Sequence, residues 1–270
     1  MSEILIPILA VTIIGLICGV GLSVASAVMA VHEDERLPAI RECLPGANCG
    51  ACGFSGCDGY AKALLDPATA TNLCVPGGAQ TAQRLAAVLG VDAGEVEQKA
   101  ALVHCAGTCE ATAVHSDYRG IPQCAAAKLF FGGAGSCVYG CLGLGDCVRI
   151  CPNGAIRLNR GVAQADAALC TGCGLCAAAC PQKLIEIVPA AAVSAVRCSN
   201  LDRGAQTRKA CSSGCIGCKK CEKLCPSGAI AVENNLARID YARCTGCGLC
   251  AESCPTGAAM LLQKPAVAEA

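Results

Sequence analysis

The sequence predicts an α+β protein that combines one N-terminal transmembrane helix, a small helical module and two tandem cysteine-rich modules. Three observations lead to this fold class. Residues 4–31 carry no charge, 27 of the 270 residues are cysteine, and the cysteine pattern that ends at Cys180 recurs 74 residues later. The expected domains are an anchor at 1–31, a helical module at 32–91, a cysteine-containing linker at 92–135, two repeated modules at 136–189 and 190–262, and a tail at 263–270.

The apolar N-terminal segment has the length of a membrane span. At about 1.5 Å per residue, a helix over residues 4–31 exceeds a hydrocarbon core of about 30 Å. A secretory signal is the alternative, since Ala25-Ser26-Ala27 resembles a cleavage site, but no basic residue precedes the apolar run. Arg36 and Arg41 follow closely, so the positive-inside tendency places the rest of the chain in the cytoplasm. We therefore expect a single-pass protein of the cell (inner) membrane.

The module at 32–91 contains four cysteines in a glycine-rich context. Glycines let backbone N–H groups approach cysteine sulfurs, which stabilises the negative charge of an iron–sulfur cluster. Apolar periodicity predicts short helices at 60–64 and 81–89. We expect one [4Fe-4S] cluster here, cluster 1, with zinc as the alternative. Its ligands are Cys49, Cys52, Cys57 and Cys74.

Two cysteine runs of one design mark the repeated modules. Each has the form Cys-x2-Cys-x2-Cys-x3-Cys-Pro, from Cys170 to Pro181 and from Cys244 to Pro255. This spacing is typical of [4Fe-4S] sites in bacterial ferredoxins. Disulfides and structural zinc are the alternatives, but disulfides join scattered cysteines and zinc sites usually pair two separated Cys-x2-Cys motifs. The modules are therefore expected to be ferredoxin-like and duplicated, each with a β-hairpin, at 155–166 and 229–240.

The spacing also predicts which cysteines share a cluster, because the fourth cysteine of each run ligates the cluster of the other run. Three clusters follow: Cys151, Cys170, Cys173 and Cys176 (cluster 3); Cys215, Cys218, Cys221 and Cys254 (cluster 4); and Cys225, Cys244, Cys247 and Cys250 (cluster 5). Cluster 2 departs from the pattern, since Leu144 stands where the second module has Cys218. Its expected ligands are Cys137, Cys141, Cys147 and Cys180, and the alternative is a three-iron cluster without Cys137.

Seven cysteines remain beyond these five clusters: Cys18, Cys43, Cys105, Cys109, Cys124, Cys198 and Cys211. Cys105, Cys109 and Cys124 could supply three ligands of a sixth cluster, completed by Cys198 or Cys211. The alternative is that Cys198 and Cys211 only pack. We expect Cys18 to pack inside the apolar segment and Cys43 to be a free thiol.

Composition and the remaining motifs exclude several functions. Acidic and basic residues number 21 each, so no overall field favours nucleic acid. The three histidines form no metal-binding pair, and no glycine-rich phosphate loop or nucleophile–base pair is recognisable. The sequence therefore predicts electron transfer without a catalytic site of its own.

Four features carry a resemblance to a known family: the apolar segment, the run CGACGFSGC at 49–57, the cysteine-rich run at 137–147 and the appended repeats. With these features the chain resembles the long form of the B subunit of the Rnf-type ion-translocating ferredoxin:NAD oxidoreductases. The resemblance implies a membrane-anchored subunit that relays electrons from reduced ferredoxin to flavin-bearing and NAD-binding subunits of an ion pump. Basic residues near the second module suggest where ferredoxin docks, and the alternative is that they form an ordinary solvated face. They are Arg203, Arg208, Lys209, Lys219, Lys220 and Lys223. The alternative is an electron-donating subunit of another membrane-bound reductase without ion coupling.

Overall fold

The computed structural model describes residues 2–28, 34–130 and 132–262. The expected tail at 263–270 lies outside the described residues, and so do residues 29–33, where the expected anchor ends and the helical module begins. Helices and strands are both present, and the strands in the described ranges form four antiparallel pairs.

The chain begins with helix α1 (Ser2–Val28). Its side chains at residues 11–26 are all exposed. Across the ranges that the structure describes, none of the helices is both long enough and apolar enough to cross a membrane. The transmembrane helix in our expected fold class is therefore wrong.

Three short helices form the module that follows. They are α2 (Arg36–Cys43), α3 (Cys57–Ala63) and α4 (Gly78–Leu89). Ile40, Tyr60 and Leu85 are almost fully buried at their junction, and the Tyr60 hydroxyl donates to the Ala70 carbonyl at 2.7 Å. The module therefore has a small core of its own, which fixes the loops that carry its cysteines.

The first repeated unit contains four strands and three helices. They are β1 (Lys99–Val103), α5 (Cys124–Lys128), α6 (Asp146–Ile150), β2 (Ile156–Asn159), β3 (Val162–Ala165), α7 (Leu175–Ala179) and β4 (Ile185–Pro189). β2 pairs with β3, and β1 pairs with β4, both antiparallel. The hairpin expected at 155–166 is confirmed.

The second unit repeats this arrangement. Its elements are β5 (Ser194–Val196), α8 (Gly204–Ala210), α9 (Lys220–Leu224), β6 (Ile230–Glu233), β7 (Leu236–Ile239), α10 (Leu249–Glu252) and β8 (Ala259–Leu261). β6 pairs with β7 and β5 pairs with β8. The hairpin expected at 229–240 is also confirmed, and its two-residue turn places Asn234 and Asn235 at positive φ, as such turns require.

The two units differ by an insertion after their first strands. Val103 of β1 pairs with Ile185, and Val196 of β5 pairs with Ala259, so these valines are structurally equivalent. They are 93 residues apart, although the rest of the repeat is offset by 74, which leaves 19 extra residues in the first unit. Counting from the paired strands, the structural counterpart of Cys198 is Cys105.

Cysteine is a main constituent of the core in both units. Each cluster of buried side chains combines aliphatic residues with cysteines, such as Cys147 and Cys176 in the first unit and Cys215 and Cys221 in the second. Aromatic residues make up only 3% of the sequence, so cysteines occupy core positions in place of large side chains.

Candidate metal centres

All 27 cysteines lie within the described residues, and none of them forms a disulfide. The structure gathers 24 of them into six groups of four, which we number as sites 1–6. Cys18, Cys43 and Cys109 belong to none of these groups. The disulfide framework that the cysteine content could have indicated is thus not what this fold uses.

Site 1 contains the four cysteines expected from the sequence, Cys49, Cys52, Cys57 and Cys74. Asn48 shapes the loop between them, because its side-chain Oδ1 accepts a hydrogen bond from the Cys57 backbone N–H at 2.9 Å. Gly56 lies against this side chain at φ +122°, and a Cβ there would be 3.0 Å from Asn48 Oδ1. Burial raises the pKa of the Cys74 thiol.

Sites 3, 4 and 5 bring together the same cysteines that the spacing groups. Site 3 unites Cys176 with Cys170, Cys173 and Cys151. Sites 4 and 5 are cavities whose walls contain the cysteines assigned to clusters 4 and 5: Cys215, Cys218, Cys221 and Cys254, and Cys225, Cys244, Cys247 and Cys250. Each site takes three cysteines from one run and the fourth from the other.

Site 2 differs from our assignment in one cysteine, because Cys124 rather than Cys137 lines the cavity with Cys141, Cys147 and Cys180. The insertion explains the exchange. Its helix α5 lies against α6, where the Ala125 N–H donates to Asp146 Oδ2 at 3.1 Å. This contact places Cys124 in the space that Leu144 leaves without a thiol.

Site 6 also differs from the expected set. Five cysteines line its cavity: Cys105, Cys137, Cys141, Cys198 and Cys211. Cys141 also lines the site 2 cavity together with Cys124, and we assign both to site 2, which leaves the other four to site 6. Cys109 is exposed, and its N–H donates to the Arg160 carbonyl at 3.0 Å, which holds it at the β2–β3 turn. A Cβ on Gly107 would lie 3.3 Å from Cys211 Sγ and 3.6 Å from Cys105 Sγ, so a larger residue there would press on the Cys211 sulfur.

Site 6 is built from two equivalent pairs of cysteines. Cys105 corresponds to Cys198 through the paired strands, and Cys137 corresponds to Cys211 through the 74-residue repeat. The segment around Thr112 joins the units beside them, since Thr112 Oγ1 donates to the Ala210 carbonyl at 2.7 Å. Each unit therefore supplies half of a site at their junction.

Backbone N–H groups point at the cysteine sulfurs in corresponding places of the two units. The Ala155 N–H donates to Cys151 Sγ at 3.3 Å, and the Ala229 N–H donates to Cys225 Sγ at 3.3 Å. Cys180 and Cys254 accept similar bonds from the Leu184 and Ala259 N–H groups, at 3.5 and 3.4 Å, although these two donors differ by one position in the repeat. Such bonds stabilise thiolates and tune the potential of a bound cluster.

Asn200 is a residue of site 6 that the sequence reasoning missed. It is 1% exposed, its Nδ2 donates to Cys137 Sγ at 3.5 Å, and its backbone N–H donates to Cys198 Sγ at 3.4 Å. Its position two residues after Cys198 was the sequence feature that could have indicated a contact with the site 6 sulfurs.

The electrostatics of these sites call for a positively charged occupant. Burial raises the pKa of the Cys147 thiol to about 12, and burial raises the pKa values of Cys105, Cys176 and Cys221 to about 11. Four thiolates in such surroundings are unfavourable unless metal compensates their charge, and coordination deprotonates a thiol outright. The donor set, with four thiols and N–H groups on the sulfurs, fits a [4Fe-4S] cluster.

A single metal ion would need a tighter arrangement. Within the described ranges, no set of three or more His, Cys, Asp or Glu side chains is placed to hold one ion. A mononuclear zinc site draws its sulfurs to about 2.3 Å from one point. In a cubane each thiolate binds a different iron, so the sulfurs surround a larger object.

Known families match the chain in the same regions. Residues 136–184, 169–229 and 214–258 match the family described as "4Fe-4S dicluster domain". Residues 44–76, which include site 1, match the family described as "Putative Fe-S cluster". The matched stretches thus cover the cysteine runs of both repeated units and the loops of the helical module.

Three relatives match 89% of the chain. The B subunit of the Na+-translocating ferredoxin:NAD+ oxidoreductase complex of Acetobacterium woodii is 42% identical, over 73% of its own length. The B subunit of the ion-translocating oxidoreductase complex of Methanosarcina acetivorans is 40% identical, over 92% of its length. The B subunit of the proton-translocating ferredoxin:NAD+ oxidoreductase complex of Clostridium ljungdahlii is 41% identical, over 85% of its length. The chain therefore belongs to the B-subunit family of the Rnf-type ion-translocating oxidoreductase complexes.

Proposed function

We propose that this chain relays electrons one at a time from reduced ferredoxin, through six [4Fe-4S] sites, to flavin-bearing and NAD-binding partner subunits of an ion-translocating ferredoxin:NAD oxidoreductase. Family membership makes it a subunit of an oxidoreductase complex. Each bound cluster would supply a one-electron carrier. The contribution of the chain itself is to hold these carriers in line and to insulate them, while bond-making chemistry takes place on partner subunits.

The observation that carries this proposal is the position of site 6 between the two units. The backbone N–H of Cys141, a site 2 residue, donates to Cys105 Sγ of site 6 at 3.4 Å. In the second unit, the N–H of Cys215, a site 4 residue, donates to Cys198 Sγ of site 6 at 3.2 Å. One peptide group therefore separates site 6 from each neighbour, on equivalent paths.

Sites 2, 6 and 4 thus follow one another in a row, and the remaining sites extend this row at both ends. Helix α6 contains Cys147 of site 2 and ends next to Cys151 of site 3, and α9 contains Cys221 of site 4 and ends next to Cys225 of site 5. The site 1 loop shares a cavity with the segment that holds Cys173 of site 3. The order of the sites is thus 1–3–2–6–4–5.

Charge and exposure favour the second unit as the entry point. Lys219, Lys220 and Lys223 are exposed around the exposed Cys218, and we call these three residues the lysine face. Lys219 Nζ lies 3.6 Å from Glu222 Oε2, so the lysine face keeps a net positive charge of about two. At the corresponding positions the first unit has Gly145, Asp146 and Arg149, and the last two form an ion pair with each other. An acidic donor such as ferredoxin is attracted to the lysine face. Electrons then enter at sites 4 and 5 and leave at site 1.

We also propose that the iron–sulfur domains work on the cytoplasmic side of the cell membrane, together with the partner subunits that move ions. The support is chemical, because 27 free cysteines persist in a reducing compartment. The relatives' names add that their complexes translocate ions.

Breaking the row at its middle tests the proposal. The double substitution C198A/C211A removes two ligands of site 6 and leaves the ligands of the other five sites in place. In the complex, reduced ferredoxin should then still reduce sites 4 and 5, while sites 1, 2 and 3 stay oxidised on the same timescale. Rapid-freeze EPR measures this, and dithionite, which reaches each site from solution, shows that the untouched clusters are intact.

The matched control is Cys109→Ala, which removes an exposed thiol outside every site and should leave all rates unchanged. Reduction of sites 1, 2 and 3 at the rate of the unmodified complex in C198A/C211A would contradict a single row.

A further inference from the structure

The two units reach across their junction with equivalent residues, His104 and Arg197. The His104 N–H donates to the Leu184 carbonyl at 2.7 Å, and the Arg197 N–H donates to the Ala258 carbonyl at 2.7 Å, so both follow the paired strands in the same way. Each side chain then contacts the other unit. His104 Nδ1 lies 2.7 Å from the Val196 carbonyl oxygen.

Arg197 makes the reciprocal contact and extends further into site 6. Its Nε donates to the Val103 carbonyl at 3.3 Å, and its Nη2 donates to the Cys105 carbonyl at 3.0 Å. The side chain is partly buried and lines the cavity that contains Cys105, Cys137, Cys198 and Cys211. Two carbonyls therefore fix the guanidinium beside the ligands.

The charges of the two equivalent residues are compensated differently. His104 Nε2 lies 2.7 Å from Glu186 Oε2. Among the ion pairs of the described residues, none includes Arg197, and its remaining contact is Met260 Sδ at 3.9 Å. Burial lowers the pKa of Arg197, and the nearby Cys105 thiolate opposes this shift. A buried cation without a carboxylate is costly unless another negative group faces it, and the ligands of site 6 supply that charge.

We propose that Arg197 is the counter-charge of the site 6 cluster and raises its reduction potential. The inference rests on the proposed function, because it requires a cluster at site 6. When that cluster accepts one electron from a reduced neighbour, which is thereby oxidised, its negative charge grows by one unit. A fixed guanidinium in a poorly solvated place stabilises the reduced form more than the oxidised form. Arg197 thus favours electron arrival at the junction between the two units.

The experiment is an EPR-monitored redox titration of the anaerobically purified full chain. The site 6 signal is identified by its loss in Cys211→Ala. In R197Q, which removes the charge and keeps a polar side chain, the ratio of reduced to oxidised site 6 at a fixed potential should fall about tenfold, a shift of about 59 mV for one electron. R197K, which retains the charge, should shift the ratio much less. Arg84→Gln, the same charge change on an exposed residue of α4, is the control and should have no effect.

An R197Q protein with a full site 6 signal and an unchanged potential would overturn the role of Arg197 and leave the row of sites standing. If the unmodified chain holds only about 20 irons and lacks a signal that depends on Cys211, the proposed function fails at the junction instead. If R197Q assembles without the site 6 cluster, R197K decides. If R197K, which keeps the charge, assembles all six clusters, the counter-charge role of Arg197 is supported. If R197K also lacks the site 6 cluster, that role is refuted.

Discussion

We expect Cys124 and Cys147 to bind the same cluster, and paired alanine substitutions test this directly. Each single substitution removes one of the four ligands of site 2, where both cysteines line one cavity. Cys137 lies in site 6 instead. Two substitutions in one site can remove one cluster only, whereas substitutions in two sites remove two. The pairing of losses therefore reveals which cysteines share a cluster.

The magnitudes follow from four irons per cluster. The unmodified chain should hold about 24 irons and about 24 acid-labile sulfides in its six sites, and each single variant about 20. C124A/C147A should also hold about 20, because both ligands belong to site 2. C137A/C147A should hold about 16, because it damages sites 6 and 2. Colorimetric iron and sulfide assays on anaerobically purified protein resolve steps of four.

A different outcome would restore the assignment made from spacing. If C124A/C147A holds about 16 irons and C137A/C147A about 20, then Cys137 is the fourth ligand of site 2 and its exchange for Cys124 is wrong. Cys109→Ala is the control and should retain about 24 irons, because Cys109 is exposed and belongs to no group of four.

Two further predictions concern the fold and the entry point. Gly143→Ala should lower the free energy of unfolding of the cluster-loaded protein by roughly 1–3 kcal/mol. The reason is that Gly143 has φ +70° and its new Cβ would lie 2.7 Å from the Gly161 carbonyl oxygen. Gly154→Ala, at φ +60° with no atom within 4 Å of the new Cβ, should lower this free energy less, as chemical unfolding measures. Charge reversal of the lysine face should lower the second-order rate of reduction by ferredoxin and flatten its salt dependence, and an equal rate in stopped-flow would disprove docking there. The control reverses three exposed basic residues elsewhere: Arg84, Arg157 and Lys183.

Local sequence patterns predicted the parts of the structure that depend on local geometry. The cysteine runs grouped the same residues that the structure brings together at sites 3, 4 and 5, because a run of closely spaced cysteines and its partner run fold as one small unit. The hairpins at 155–166 and 229–240 were predicted nearly to the residue, since their turns and alternating apolar positions are encoded within a dozen residues.

The errors arose where contacts are distant in sequence. The constant offset of 74 residues aligned Cys124 with Cys198, but the pairing of β1 with β4 and of β5 with β8 shows that Cys105 is the true counterpart. An insertion shifts one strand relative to the repeat, and no local pattern reports such a shift. The N-terminal apolar run does form a helix, Ser2–Val28, but the membrane span that we expected there is wrong, because none of the described helices is both long enough and apolar enough to cross a membrane.

The 19-residue insertion of the first unit accounts for both departures from the 74-residue repeat, which are the presence of Cys124 in site 2 and of Cys137 in site 6. Leu144 leaves site 2 one thiol short, and α5 supplies it in the form of Cys124. Cys137 is then available to pair with Cys105, as Cys211 does with Cys198. Neither pair can hold a cubane alone, so site 6 forms only when the two units are docked. The free energy of binding a cluster there therefore adds to the free energy of docking, and the same contact that completes the electron path also locks the units together.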